Sequence, residues 1–153
     1  MKKELDYLLY GIDASKKLLY SKWASPIDST QYREGLQRLV RIVHDNEIKL
    51  WIHESRRLHD LSVEDQKWTT EVVALLLTQS KLRHIAIIRP QGNQQPHQGL
   101  SLREKAYRIF GRIIGVEFFD TTEEAKAWIL PQLQHYKLPT PASPVNLNSK
   151  QQS

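Results

Sequence analysis

The chain has 153 residues, a usual length for one domain, and its 40% hydrophobic and 25% charged residues are the balance of a globular protein with a buried core. It has no cysteine, which excludes thiol catalysis, disulfides and Cys-ligated zinc or iron–sulfur sites. The net charge is +5; Lys137 and Lys150 lie in the C-terminal tail, and the +3 left over residues 1–136 is modest for a dedicated nucleic-acid binder.

Two runs rich in Leu, Tyr and Trp, Leu5–Tyr10 and Leu18–Ala24, flank a break at Gly11-Ile-Asp-Ala-Ser15, which reads as a β-hairpin. Pro26–Thr30 then offers a stop and several N-caps. Tyr32, Leu36, Leu39, Val40 and Val43 recur at helical spacing with charged residues between them, and Asp45-Asn46 ends that helix. The third strand is expected over Ile48–Glu54, with Ile48, Leu50 and Ile52 alternating against Lys49, Trp51 and His53.

A polar loop, Ser55–Leu61, leads to Ser62, the expected N-cap of a long helix with Glu64 and Asp65 in its first turn, marked by Val63, Trp68, Val72, Leu75, Leu76 and Gln79 and expected to be buried at its leucine-rich end. Arg83–Arg89, with Ile85-Ala-Ile-Ile88, has the continuous apolar run of a strand covered on both faces. Pro90–Gly99 reads as a loop. Ser101 and Glu104 have capping-box spacing before a stripe of Leu102, Ala106, Ile109, Phe110 and Ile113. Gly115 closes that helix, Val116–Phe119 is the last strand, and Thr121–Glu124 is a second capping box before Ala125, Trp128, Ile129 and Leu133, with Pro131 kinking or ending the helix.

From Lys137 onward the chain is proline-rich, with no aromatic residue and no acid, and is expected to be a disordered tail. The expectation is a single α/β domain over residues 1–136: a mixed sheet of about five strands, an opening antiparallel hairpin then parallel β-α units, with about four helices. The longest apolar run, Val72–Leu77, is far short of the ~20 residues of a membrane span, and the N-terminus lacks the pattern of a secretory signal, so a cytoplasmic protein is expected.

His53, Glu54, Arg56, Arg57, His59 and Asp60 gather after the third strand, the side of an open α/β sheet where ligands bind. Two arginines there suit an anion. His53, His59 and Asp60 match no defined metal-ligand spacing, and the leading reading is a solvated, charged loop. Ser62 is read as a plain N-cap; the other reading is a phosphorylation switch at a helix N-terminus, which Glu64 and Asp65 would oppose by repulsion. Phosphate-loop, dinucleotide, zincin and serine-hydrolase motifs are absent. The four tryptophans read as core or interface rather than as base-stacking platforms.

The order ββαβαβαβα, with Trp51-Ile-His-Glu-Ser-Arg56-Arg57 before Ser62-Val-Glu-Asp65-Gln-Lys-Trp68, and Glu117-Phe-Phe-Asp120 before Glu123-Glu-Ala125-Lys-Ala-Trp128, resembles the SpoIIAA-like superfamily. The likeness is to small single-domain bacterial anti-sigma-antagonist (STAS) and SEC14-like proteins. It covers roughly residues 5–136. The Asp-Ser-Ser-Gly turn phosphorylated in STAS antagonists has Asp60-Leu61-Ser62-Val63 as its nearest counterpart, one residue out of step and without the glycine. The resemblance implies a non-enzymatic regulatory domain that docks a protein partner, with His53, Arg56, Arg57, His59, Asp60 and Ser62 as the candidate surface. The alternative it implies is SEC14-like binding of a lipid or other apolar ligand. An enzyme with its site in the loop after the third strand is the weaker alternative. No cofactor, no metal and no nucleic-acid partner is expected.

Overall fold

A computed structural model describes residues 2–58, 61–89, 111 and 113–135. The expected loop 90–99, the capping box of Ser101 and Glu104 with the helix it begins, and the tail 137–153 lie outside the described residues.

The fold is α/β, built on one mixed sheet of six strands in sequential order: β1 (Lys2–Leu5), β2 (Leu8–Asp13), β3 (Leu18–Trp23), β4 (Leu50–Glu54), β5 (His84–Ile88) and β6 (Gly115–Phe119). Strands β1 to β3 are antiparallel neighbours, and β3 to β6 run parallel. One strand more than expected arises because residues 2–13 are not one run but two, β1 and β2, folded about Asp6-Tyr7. The second turn also lies further on than Gly11. Asp13 accepts hydrogen bonds from the amide and hydroxyl of Ser15, at 3.1 and 2.7 Å, and this local side-chain turn reverses the chain over Ala14–Lys17. Gly11 sits inside β2 opposite Tyr20.

Helix α1 (Ser29–Asp45) crosses from β3 to β4. Asp28 caps it, accepting from the Gln31 amide while the Gln31 side chain accepts from the Asp28 amide, a complete capping box. Its expected stripe is buried, and Gly35 joins it. There a Cβ would stand 2.5 Å from the Trp23 ring, so glycine is what lets α1 lie against that ring.

The crossover from β4 to β5 is a helix in three parts: α2 (Val63–Trp68), a π-helical turn (Thr69–Val73) and α3 (Ala74–Thr78). Its buried positions are Asp65, Val73, Ala74 and Leu77, not the expected Val72, Leu75 and Leu76. In a regular α-helix, positions four apart drift by ~40° per step, so Asp65, Thr69, Val73 and Leu77 would wind off one face. The wider π turn absorbs the drift and keeps them aligned. Thr69 holds that turn, donating 2.8 Å to the Asp65 carbonyl while its Oγ1 also lies 2.8 Å from the Tyr32 hydroxyl.

Helix α4 (Thr122–Ile129) follows β6 and gives way at Pro131 to a 3₁₀ turn, Leu130–His135, because proline has no amide to continue the ladder. Thr121 caps it, accepting 3.1 Å from the Glu124 amide, while Glu124 reaches the Asp120 amide, one residue short of closing a capping box.

These helices cover the sheet from both sides. Leu19, Trp23, Trp51 and Ile85 pack with α1 and the π-containing helix in one apolar cluster, and Leu50, Ile52, Ala86 and Ile88 pack with Ala125 and Ile129 of α4 in another. β4 is therefore buried on both faces, against the half-buried alternation expected of it.

Candidate functional site

Ser55, at the end of β4, is tied to the end of β5: its amide and its hydroxyl both donate to the Ile88 carbonyl, at 2.9 and 2.7 Å. This anchor sets where the chain leaves the sheet. Residues on either side of it go to different places, and the candidate positions divide among separate environments.

His53 belongs to the core, not to a solvated loop. It points to the α1 face of a strand that is covered there. Its Nδ1 lies 2.7 Å from Ser21 Oγ, its partner across the parallel β3–β4 register. Trp51 Nε1 donates 2.8 Å to the same Ser21 oxygen. An indole N–H only donates, so Ser21 accepts from Trp51, and its hydroxyl is shared between the indole and His53 Nδ1. The imidazole is buried, and burial keeps it neutral near pH 7. Burial holds its pKa down to about 4. Trp23 meets the imidazole edge-on at 5.3 Å. A serine beside a histidine is a nucleophile–base pair in outline, but Ser21 is fully buried and no substrate reaches it in this arrangement.

Arg56 leaves the strand towards the α4 side. Its Nη2 is 3.5 Å from Thr122 Oγ1. Nearby, the Tyr20 hydroxyl donates 3.4 Å to Glu54, and burial is the main influence holding that hydroxyl above the ordinary tyrosine range. Arg57 is exposed. His59 and Asp60 lie outside the described residues.

Ser62 is exposed and caps α2, accepting 3.0 Å from the Asp65 amide. The Asp65 carboxylate behind it is buried and accepts from Ser29 Oγ at 2.9 Å and Arg33 Nε at 2.8 Å, joining α1 to α2. Burial pushes this carboxyl up, but the hydrogen bonds from Arg33 and Ser29 outweigh it and hold the group below the usual carboxylate range. Arg33 also stacks 5.3 Å over the Trp68 ring, which is half-buried rather than part of the core.

Ser21, Asp65 and Thr122 are the polar contacts that sequence reasoning missed. Ser21 had a signal: it stands between Leu19 and Trp23 on an inward-facing row, where a polar side chain requires a buried partner. Among the described residues no group of three His, Asp or Glu is placed to hold a metal ion, and no helix is long and apolar enough to cross a membrane.

No family model matches this chain, and no curated protein or solved structure matches it either. What fold and site define together is an α/β protein whose mixed sheet opens with antiparallel strands and continues in parallel.

Proposed function

We propose that this protein is a non-enzymatic regulatory domain of the cytoplasm that docks a protein partner, in the manner its resemblance to SpoIIAA-like domains implies. One observation carries the reading: Val72, Leu75 and Leu76 are 41%, 57% and 40% exposed on successive turns of the helix that Ser62 begins. Single exposed leucines are ordinary, but a contiguous aliphatic row on one helix is the surface that interfaces use. The buried Ser21–His53 pair offers no open catalytic centre. A groove of about 340 Å³ beside the β2–β3 turn has Ile12 and Ala14 on one side and Lys17, His44, Asp45, Asn46 and Glu47 around them, a mainly polar lining that gives an apolar ligand little to hold it.

Native mass spectrometry of the protein isolated from its own host, beside Leu75→Glu and Leu76→Glu variants, tests the reading. A stoichiometric protein partner retained by the wild type and lost from both variants, at unchanged melting temperature, is the expected result. A partner retained equally by both variants overturns the assignment of this row.

A further inference from the structure

The two edges of the sheet are built differently. β1 carries Lys2 and Lys3 and breaks its register between Lys3 and Leu5. Lysines and bulges are the devices that keep an edge strand from pairing with another chain. β6, the last strand, has neither: it holds one register with β5 from Gly115 to Phe119, with no lysine, no proline and no bulge. The Gly115 amide donates to the Arg83 carbonyl and the Phe119 carbonyl accepts from the Arg89 amide, so the backbone polar groups of residues 115, 117 and 119 face β5. Those of Val116 and Phe118 alternate with them and face outward, where no strand lies among the described residues. The strand is apolar apart from Glu117, and Val116, Phe118 and Phe119 are only half-buried. Ile113, just before it, is 49% exposed.

We propose that the β6 edge pairs with the β6 edge of a second copy of this chain, antiparallel about a two-fold axis at Val116, so that two sheets join into one. Each Val116 exchanges both backbone hydrogen bonds with the partner's Val116, and Phe118 does the same with the partner's Ile114. β-Branched and aromatic residues then lie across from one another, the cross-strand pairs that stabilise antiparallel strands. The single charge on the strand selects this register. An axis at Glu117 would set two carboxylates directly opposite each other, which destabilises. An axis at Phe118 would call on the Asp120 amide, which already donates to Glu124 at 3.2 Å. With the axis at Val116, Glu117 lies across from the partner's Gly115, which has no side chain, and Ile113 comes beside the partner's Phe119. The contact uses the same patch on both copies and closes at two, and the guarded β1 edge keeps the joined sheet from growing further. It does not involve the Val72–Leu76 row, so dimerisation and the docking of a different protein succeed or fail separately.

The test is amide hydrogen exchange by NMR on the full chain at micromolar and at millimolar concentration, beside sedimentation equilibrium over the same range. A monomer–dimer equilibrium is expected. In the dimer the Val116 and Phe118 amides should exchange at least about tenfold more slowly than in the monomer, while those of Glu117 and Phe119, bonded to β5, are protected at both concentrations. Phe118→Lys, which guards the edge with a charge, should weaken the dimer at least about tenfold; should that variant not fold, exchange in the wild type decides alone. Glu117→Gln should leave the dimer unchanged, and a tighter dimer would overturn the axis at Val116. Leu75→Glu should dimerise as the wild type does. A monomer at millimolar concentration, a dimer whose Val116 and Phe118 amides still exchange freely, protection of those two amides already in the monomer, or a dimer lost in Leu75→Glu overturns the proposal.

Discussion

Ser21 Oγ lies 2.7 Å from His53 Nδ1 inside the core, where burial holds His53 in its neutral form. Folding therefore requires a histidine that is uncharged. In the unfolded chain it titrates near the ordinary 6.5, and in the folded protein burial moves it to about 4. Below pH 6.5 the unfolded state binds the extra proton first, so stability must fall as pH drops from 6.5 towards 4, by on the order of 3 kcal/mol in full. Urea unfolding at pH 7, 5.5 and 4.5 measures this. In His53→Asn, whose side-chain oxygen can take the Ser21 proton but does not titrate, the fall over that range should be largely absent.

The Asp65 carboxylate acts in a different window. Held below the usual carboxylate range, it contributes stability that is present above pH ~4 and lost as pH falls through its folded value. Asp65→Ala should cost about 2 kcal/mol, since it strips Arg33 and Ser29 of a buried acceptor. Arg33 is itself 39% exposed, so Arg33→Ala should cost less. A double-mutant cycle should show a coupling of about 1 kcal/mol, and a coupling of zero would mean that the pair does not join α1 to α2.

Gly35 runs against helix propensity. Glycine inside a helix is ~1 kcal/mol worse than alanine, so Gly35→Ala on an open helix would stabilise. Here the added methyl meets the Trp23 ring at 2.5 Å. Gly35→Ala should destabilise by roughly 1–3 kcal/mol, the range for overpacking a core. Thermal unfolding decides the sign, and a rise in melting temperature would show that the ring has room to move.

Ser62 separates a cap from a switch. As a cap it supplies one acceptor for the Asp65 amide, so Ser62→Ala should cost about 1 kcal/mol and Ser62→Asp almost nothing. Binding of the docked partner should hardly respond to Ser62→Asp. Stoichiometric phosphate on Ser62 in the native protein, or a normally folded Ser62→Asp that no longer binds, would restore the phosphorylation mechanism.

By itself the sequence determined the α1 stripe, the cap at Ser62, the continuous apolar run of β5 and the alternation of strand and helix from β3 to β5 and from β6 to α4. Each is a local pattern, since periodicity and capping report on residues within a few positions of one another. Tertiary structure decided what depends on distant pairing. Whether Trp51 and His53 face water depends on α1 lying over β4, and Ser21 meets His53 across 32 residues only through the β3–β4 register. An unbroken α-helix would place Val72, Leu75 and Leu76 in the core; the π turn at Thr69–Val73 shifts the buried face to Val73, Ala74 and Leu77. Arg56 was legible as a basic residue after a strand, but not its approach to Thr122, 66 residues away. Spacing along a chain records which face a side chain occupies, and only the assembled sheet sets what that face meets.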